Sequence, residues 1–279
     1  MAGSATKVWF ITGGSTGIGK SLALEVLARG EFVATTARDV ARLDPRITGS
    51  ERALALSLEV TDADQCGSAV EQILAKFGRI DVLINNAGYG LLGAVEEVSD
   101  AEARSVFDAN VFGLLNVTRA VLPSMREARS GYVVNIGSVG GLLARAGSGI
   151  YCSTKFALEG ISEALFHELK PLGIGVTVVE PGPFRTEFAG SSLHEAANKM
   201  DDYVETAGAW RTQLRKNHGT QQGDPDKAAR VIIEATLDAN PPLHLVLGNP
   251  AMERAGEKLS ELLDEMVTWR ERSADTDFD

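Results

Sequence analysis

The first thirty residues constrain this chain more than any other stretch. Residues 8–12 (VWFIT) form a short apolar run that ends in glycines, as a buried strand does. Residues 12–19 (TGGSTGIG) follow at once. They open a segment in which Ile18, Leu22 and Val26 recur at helical spacing until Gly30 stops the pattern. A strand that feeds a helix through a glycine turn is the start of a βαβ unit, and the same alternation continues along the chain. Further strands are predicted at 32–36, 54–58, 82–85, 132–136, 176–179 and 243–247. Between them lie a helix with the stripe Val70, Ile73, Leu74 and Phe77, one long helix over 99–125, a helix through Tyr151 and Lys155 to Pro171, and another over 226–237. Such alternation implies a parallel sheet covered on both faces by right-handed crossovers. With no linker or internal repeat, the whole of 1–279 reads as one doubly wound α/β domain.

Two segments depart from this rhythm. Residues 187–224 are a long insertion carrying Phe188, Leu193, Met200, Tyr203 and Trp210, too apolar for plain disorder, and are expected to act as a substrate lid. Residues 250–279 are a C-terminal helix and polar tail. The helix stripe Leu259, Leu262, Leu263 and Met266 either closes over the domain or meets another subunit.

Composition narrows the class of partner. A net charge of -11 argues against nucleic acid or an anionic membrane surface. No apolar run reaches the roughly 18 residues of a membrane span, and 8–11 is too short for a signal-peptide core. Two cysteines, Cys66 and Cys152, make no disulfide framework and suit a reducing cytoplasm. Cys152 reads as a small buried helix residue. His167 reads as solvated, and no histidine stands at metal-ligand spacing from an acid, so no metal site is expected.

Residues 138–155 (SVGGLLARAGSGIYCSTK) carry the chemistry. Tyr151 and Lys155 lie one helical turn apart on one face, so the ammonium is expected to pull the phenol below its ordinary pKa of about 10. A phenol tuned in this way exchanges a proton with a carbonyl or alcohol oxygen, and Ser138 can hydrogen-bond the same oxygen. Taken alone, Tyr-x-x-x-Lys is also an ordinary helix start. The glycine loop has a rival reading as well. Residues 14–21 (GSTGIGKS) match the P-loop pattern, which would put Lys20 on nucleotide phosphates and Ser21 on magnesium. That reading needs a strand ending in an acid. Asp81 begins its strand instead, and Glu180 is followed at once by Pro181 and Gly182. Residues 85–88 (NNAG) end a strand with amides and small residues, as beside a flat ligand. Asn110 is polar where a core-facing residue is expected.

In order and at these strand ends, TGGSTGIG, NNAG, Asn110, Ser138, Tyr151, Lys155 and the Pro181–Phe184 turn resemble the short-chain dehydrogenase/reductase family over about residues 6–248. The surrounding wording looks most like oxidoreductases related to 17β-hydroxysteroid and retinol dehydrogenases. The resemblance implies a seven-stranded Rossmann sheet and an oxidoreductase that moves a hydride between a nicotinamide cofactor and a ketone, aldehyde or secondary alcohol. It also sets the P-loop reading aside. It implies that Tyr151 is the general acid or base, that Lys155 lowers its pKa and binds the cofactor ribose, that Ser138 polarises the substrate oxygen, and that Asn110 holds a relay water. The implied cofactor wall runs through Gly13, Ser15, Thr16, Gly17, Ile18 and Gly19, then Arg38, Glu59 and Val60, then Asn86, Ala87 and Gly88. It closes with Pro181, Gly182, Phe184 and Thr186. Glu59 departs from the aspartate that many members carry, which leaves its adenine contact in question.

Charge decides between the two nicotinamide cofactors. NAD-preferring members place an acid at the end of the second strand. This chain has Thr36 there, and Arg38 offers a fork-shaped donor to a 2′-phosphate, with Asp39 as a counter-influence. NADP(H) is expected, with NAD(H) as the alternative. The expected partners are a bulky, apolar carbonyl or alcohol substrate and further copies of the chain, as a dimer or tetramer. Two other readings stay open on sequence: a non-catalytic NADP(H)-sensing regulator, and an epimerase or dehydratase acting on a nucleotide sugar.

Overall fold

The computed structural model describes residues 6–190 and 192–278. Strand β1 (Val8–Ile11) is buried along its whole length. Val8 and Phe10 face one apolar layer while Trp9 and Ile11 face the other, the two-sided burial of a parallel strand. Around it lie β2 (Phe32–Ala37), β3 (Ala53–Ser57), β4 (Val82–Asn85), β6 (Gly131–Ile136), β7 (Ile174–Pro181) and β9 (His244–Leu247). These seven form one parallel sheet in the order β3-β2-β1-β4-β6-β7-β9. The expected seven-stranded sheet is therefore present. The chain order reverses between β1 and β4, and a crevice opens there beyond the strands' carboxyl ends.

Helices cover both faces. α1 (Gly17–Ala28) and α8 (Pro225–Leu237) bury Leu22, Val26, Ile232 and Ile233 against one face. α3 (Ala63–Phe77), α5 (Gly113–Ala128) and the end of α6 (Gly149–Leu169) bury Val70, Ile73, Val117, Val121 and Leu169 against the other. The one-turn α2 (Pro45–Thr48) lies between β2 and β3.

The long helix expected over 99–125 is divided. α4 (Asp100–Phe107) opens on Ser99 in a reciprocal cap with Glu102, and a π-turn (Asp108–Phe112) separates it from α5. Asn110 sits in that turn, 2% exposed, with its amide bonded across to another segment. A single wide turn inside a helix re-aims one side chain without breaking the helix, and such turns gather at functional sites.

Residues 187–224 are more structured than a sequence pattern shows. β8 (Leu193–Glu195) pairs in parallel with β5 (Gly90–Leu92), a small second sheet absent from the strand expectations. α7 (Ala209–Lys216) follows, anchored by Arg211 to the buried Glu97. α9 (Asn249–Ala274) packs through Ala251 and Ala255 and leaves Leu259, Leu262, Leu263 and Met266 exposed, so it does not close over the domain. No helix among the described residues is long and apolar enough to cross a membrane.

Candidate active site

The glycine loop turns twice through left-handed backbone, at Gly13 (φ 69°) and Gly17 (φ 55°), where side chains are strained. A Cβ at Gly19 would lie 2.3 Å from Asn86 Nδ2, so glycine alone lets that amide reach the loop. Asn86 Nδ2 donates to the carbonyls of Thr12 and Gly13, both at 2.9 Å. Thr12 Oγ1 accepts from the backbone N–H of Asn86 and of Ala87. The NNAG segment thus clamps the loop as well as bordering the crevice.

The first turn of α1 has no acidic residue, and Thr16 makes no side-chain cap bond. Its N–H groups and the positive end of its dipole therefore suit an anion such as a pyrophosphate. Lys20 does not serve that end. It pairs with Asp44 at 2.9 Å, outside the cleft, while Asp81 accepts from the Val8 N–H at 2.8 Å and pairs with Arg79. We expect Lys20→Ala to leave oxidoreductase turnover within a fewfold, since a surface ion pair contributes only about 0–1 kcal/mol. Magnesium-dependent ATP hydrolysis that this substitution abolishes would reinstate the P-loop reading.

One cleft of about 1560 Å³ runs from this loop to the start of α6. Ser15, Thr16, Gly17 and Ile18 line it beside Arg38, Glu59 and Val60, and Ala87, Gly88, Pro181, Gly182, Phe184 and Thr186 line its other side. Ser138, Tyr151 and Lys155 lie in the same wall. Of the residues singled out from sequence, Gly19 and Asn110 lie behind the wall. β2 runs one residue further than expected, to Ala37, so Arg38 is the first residue beyond it. Asp39 turns its carboxylate to the Ala41 N–H at 3.0 Å, capping a short 3₁₀ turn, rather than pairing with Arg38. Arg42 lines the same end and adds a second cation that the sequence reading missed, although its position four residues after Arg38 was there to notice.

Ser138 ends the turn after β6, where its Oγ accepts from the Gly140 N–H at 3.0 Å and bonds the Tyr151 side chain. Lys155 is 8% exposed. Its Nζ lies 5.9 Å from the Tyr151 ring centre and donates to the Ile136 carbonyl at 2.9 Å. The expected pKa depression of Tyr151 is not what the chain by itself displays. Burial holds the phenol well above its ordinary value, against the opposing Ser138 bond. Burial also lowers Lys155 to about 8, with Glu159 one turn on opposing that shift. Desolvation penalises both charged forms here, and the lysine's charge is directed at a carbonyl.

Asn110 is held by protein through both ends of its amide. Its Oδ1 accepts from the Tyr89 N–H at 3.0 Å, and its Nδ2 donates to the Tyr89 carbonyl at 3.0 Å and to Thr154 Oγ1 at 3.1 Å. The side chain locks a π-turn onto the start of α6.

At this end the Phe188 ring lies 5.4 Å from the Tyr151 ring, tilted by 51°. Leu143, Leu193, Trp210 and Leu214 continue an apolar wall. Met200 and Tyr203, also singled out in the insertion, do not line it; the Tyr203 hydroxyl donates to Glu96 instead. Trp210 Nε1 donates to Ser148 Oγ at 2.7 Å, and Arg145 lies over the indole at 5.0 Å. Neither contact is visible in sequence spacing. Cys66 and Cys152 are free and buried, and burial raises the Cys152 thiol to about 11, which suits packing rather than redox work.

A nucleotide-sized cleft at the reversal of a parallel sheet, with a glycine-turned helix start at one end and a Ser–Tyr–Lys set at the other, defines a Rossmann-type oxidoreductase site. The family model for short chain dehydrogenases matches residues 7–197, and the chain belongs to that family. It is 39% identical over 270 residues to oxidoreductase BOA17 of Botryotinia fuckeliana, covering 96% of this chain and 98% of that one. It is 36% identical over 255 residues to bovine (Bos taurus) retinol dehydrogenase 8, covering 86% and 80%. The crystal structure of a short-chain dehydrogenase from Streptomyces avermitilis superposes with a TM-score of 0.93 at 42% identity, covering 98% and 100%. The chain is an oxidoreductase that transfers a hydride between NAD(H) or NADP(H) and an alcohol or carbonyl.

Proposed function

We propose that this chain is an NADP(H)-dependent carbonyl reductase or alcohol dehydrogenase for bulky apolar substrates. The observation that carries the reading is the convergence of Ser138, Tyr151 and Lys155 in one cleft whose far end presents Arg38 and Arg42. A bound nicotinamide would give or take the hydride. In reduction Tyr151 donates its proton to the carbonyl oxygen, while Ser138 orients that oxygen. In oxidation the ionised phenol takes the alcohol's proton. Lys155 stabilises the phenolate and holds the cofactor ribose, and Asn110 supports the proton relay by fixing the π-turn against Thr154. The whole chain acts as one catalytic domain with 187–224 as its lid.

The apolar wall of Phe188, Leu193, Trp210 and Leu214 supports a large apolar substrate, as does likeness to a retinol dehydrogenase. Free, buried cysteines are consistent with the cytoplasm. The exposed stripe of α9 is the surface we assign to a homo-oligomer contact, to be checked by sedimentation. NADPH and NADH consumption against a broad panel of carbonyl compounds tests the activity, and absence of turnover with every compound would favour the sensing-regulator reading.

Arg38 sets the cofactor preference, because its guanidinium has no acidic partner among the described residues and Asp39 is turned away. A charge-assisted contact of about 1.5–3 kcal/mol predicts that Arg38→Ala raises the NADPH KM about tenfold or more and leaves the NADH KM nearly unchanged. Equal loss with both cofactors would mean that Arg38 is structural.

A further inference from the structure

Sequence spacing gives no metal-ligand set, but the fold assembles one outside the cleft. Glu159 of α6, Glu180 of β7 and His244 at the start of β9 each bring one donor atom into a group, all within 4.8 Å of one another. Glu180 Oε1 lies 2.9 Å from His244 Nδ1, and Glu159 Oε2 lies 3.5 Å from the same nitrogen. The Glu180 side chain is completely buried and that of Glu159 is 10% exposed. Even so, both oxygens of Glu159 and the second oxygen of Glu180 have no hydrogen-bond partner among the described residues.

Buried carboxylate oxygens without partners are costly, and such groups normally pair or coordinate a metal. The nearest buried cation, Lys155, already donates to the Ile136 carbonyl. His244 by itself brings at most one positive charge against two carboxylates. Its imidazole is also 40% exposed, which gives an ion a way in from the outer edge of the sheet.

We propose that Glu159, Glu180 and His244 form a zinc site that ties the catalytic helix α6 to the edge of the sheet. Donors on a tetrahedral zinc, with bonds of about 2.1 Å, stand about 3.4 Å apart, and the two carboxylates lie 2.9 and 3.5 Å from His244 Nδ1. One imidazole nitrogen with two carboxylates suits zinc, whereas magnesium and calcium prefer oxygen alone. The other ring nitrogen, Nε2, faces Glu163 Oε1 at 3.7 Å. That is where the outer carboxylate of a metal-bound histidine belongs. Three protein ligands leave a fourth position for water. The ligands lie on three elements, and β9 is an edge strand paired with β7, so the ion would fasten an edge of the sheet.

The test uses the full-length protein stripped with EDTA and titrated with zinc chloride. Equilibrium dialysis should give one zinc per chain, and a hundredfold excess over Kd should raise Tm by about 5 °C or more. Glu180→Gln and His244→Gln, each checked for a native circular dichroism spectrum, should lose both the bound ion and the rise in Tm. Glu180→Gln removes a buried charge, so its metal-free Tm should be no lower than that of the native protein, which separates lost binding from lost folding. Absence of saturable zinc binding by the native protein overturns the proposal. So does a Tm rise that survives in both variants.

Discussion

Tyr151→Phe should lower turnover by about 10²–10⁴-fold while NADPH binding, followed by cofactor fluorescence, stays within a fewfold. The phenol bonds Ser138 and lies beside Phe188, so in the proposed mechanism its hydroxyl acts on substrate far more than on cofactor. The pH profile carries the same argument. Alcohol oxidation needs the ionised phenol, so its kcat/KM should rise with pH, whereas ketone reduction needs the protonated phenol and should fall. Burial pushes Tyr151 up, and in the proposed mechanism Lys155, with its Nζ 5.9 Å from the ring centre, is the cation that brings it down. Lys155→Met should therefore move the oxidation profile to higher pH and weaken cofactor binding as well. Normal turnover by Tyr151→Phe would remove the roles proposed for Tyr151, Ser138 and Asn110 together.

The second large effect lies in the pair that anchors residues 187–224 to the domain. Glu97 is 1% exposed and Arg211 7%, and they pair through two bonds of 2.5 and 3.2 Å. Glu97 also accepts from the N–H groups of Ala94 and Met200. Arg211→Met leaves a buried carboxylate without its cation and should cost about 3–5 kcal/mol. The Arg211 bond is the main cause that lowers Glu97 to about 2, from an ordinary value near 4.5. A depressed carboxylate stabilises the fold above its unfolded pKa, and that stabilisation is lost as pH falls through the folded value. The Tm of the native protein should thus fall between about pH 5 and pH 2, more steeply than that of Arg211→Met. Limited proteolysis should cut Arg211→Met within 187–224 sooner than the native chain, and NADP(H) should protect the native segment. Equal cleavage rates for both proteins, unaffected by cofactor, would make the segment a surface appendage.

Local rules made much of this molecule legible in its sequence. The glycine turn before Ile18, Leu22 and Val26, the alternation of strands with amphipathic stripes, and the one-turn spacing of Tyr151 and Lys155 are all properties of neighbouring residues. They led to the doubly wound parallel sheet, whereas the Rossmann class and the residues of the cofactor wall came from the resemblance to the short-chain dehydrogenase/reductase family. The π-turn at Asn110 did not show, since Asn110 is held there by bonds to Tyr89, 21 residues away, and to Thr154, 44 residues on. The same holds for the pairing of β5 with β8, and for Arg211 reaching Glu97 across 114 residues. Asp39 shows the limit in miniature, since its choice between Arg38 and a backbone N–H depends on where the chain turns after β2.

Tyr151 and the Glu159–Glu180–His244 cluster mark where tertiary structure decides alone. Spacing puts a cation one turn from the phenol, but only the packed protein shows that burial dominates and that Lys155 points at Ile136. Glu159, Glu180 and His244 are scattered along the sequence and mean nothing there as a group. They meet because α6 packs on β7 and β9 pairs beside it. Periodicity and turn chemistry act over a few residues and can be read one segment at a time. Desolvation and through-space charge depend on every element that closes around a group, so they exist only once the chain has folded.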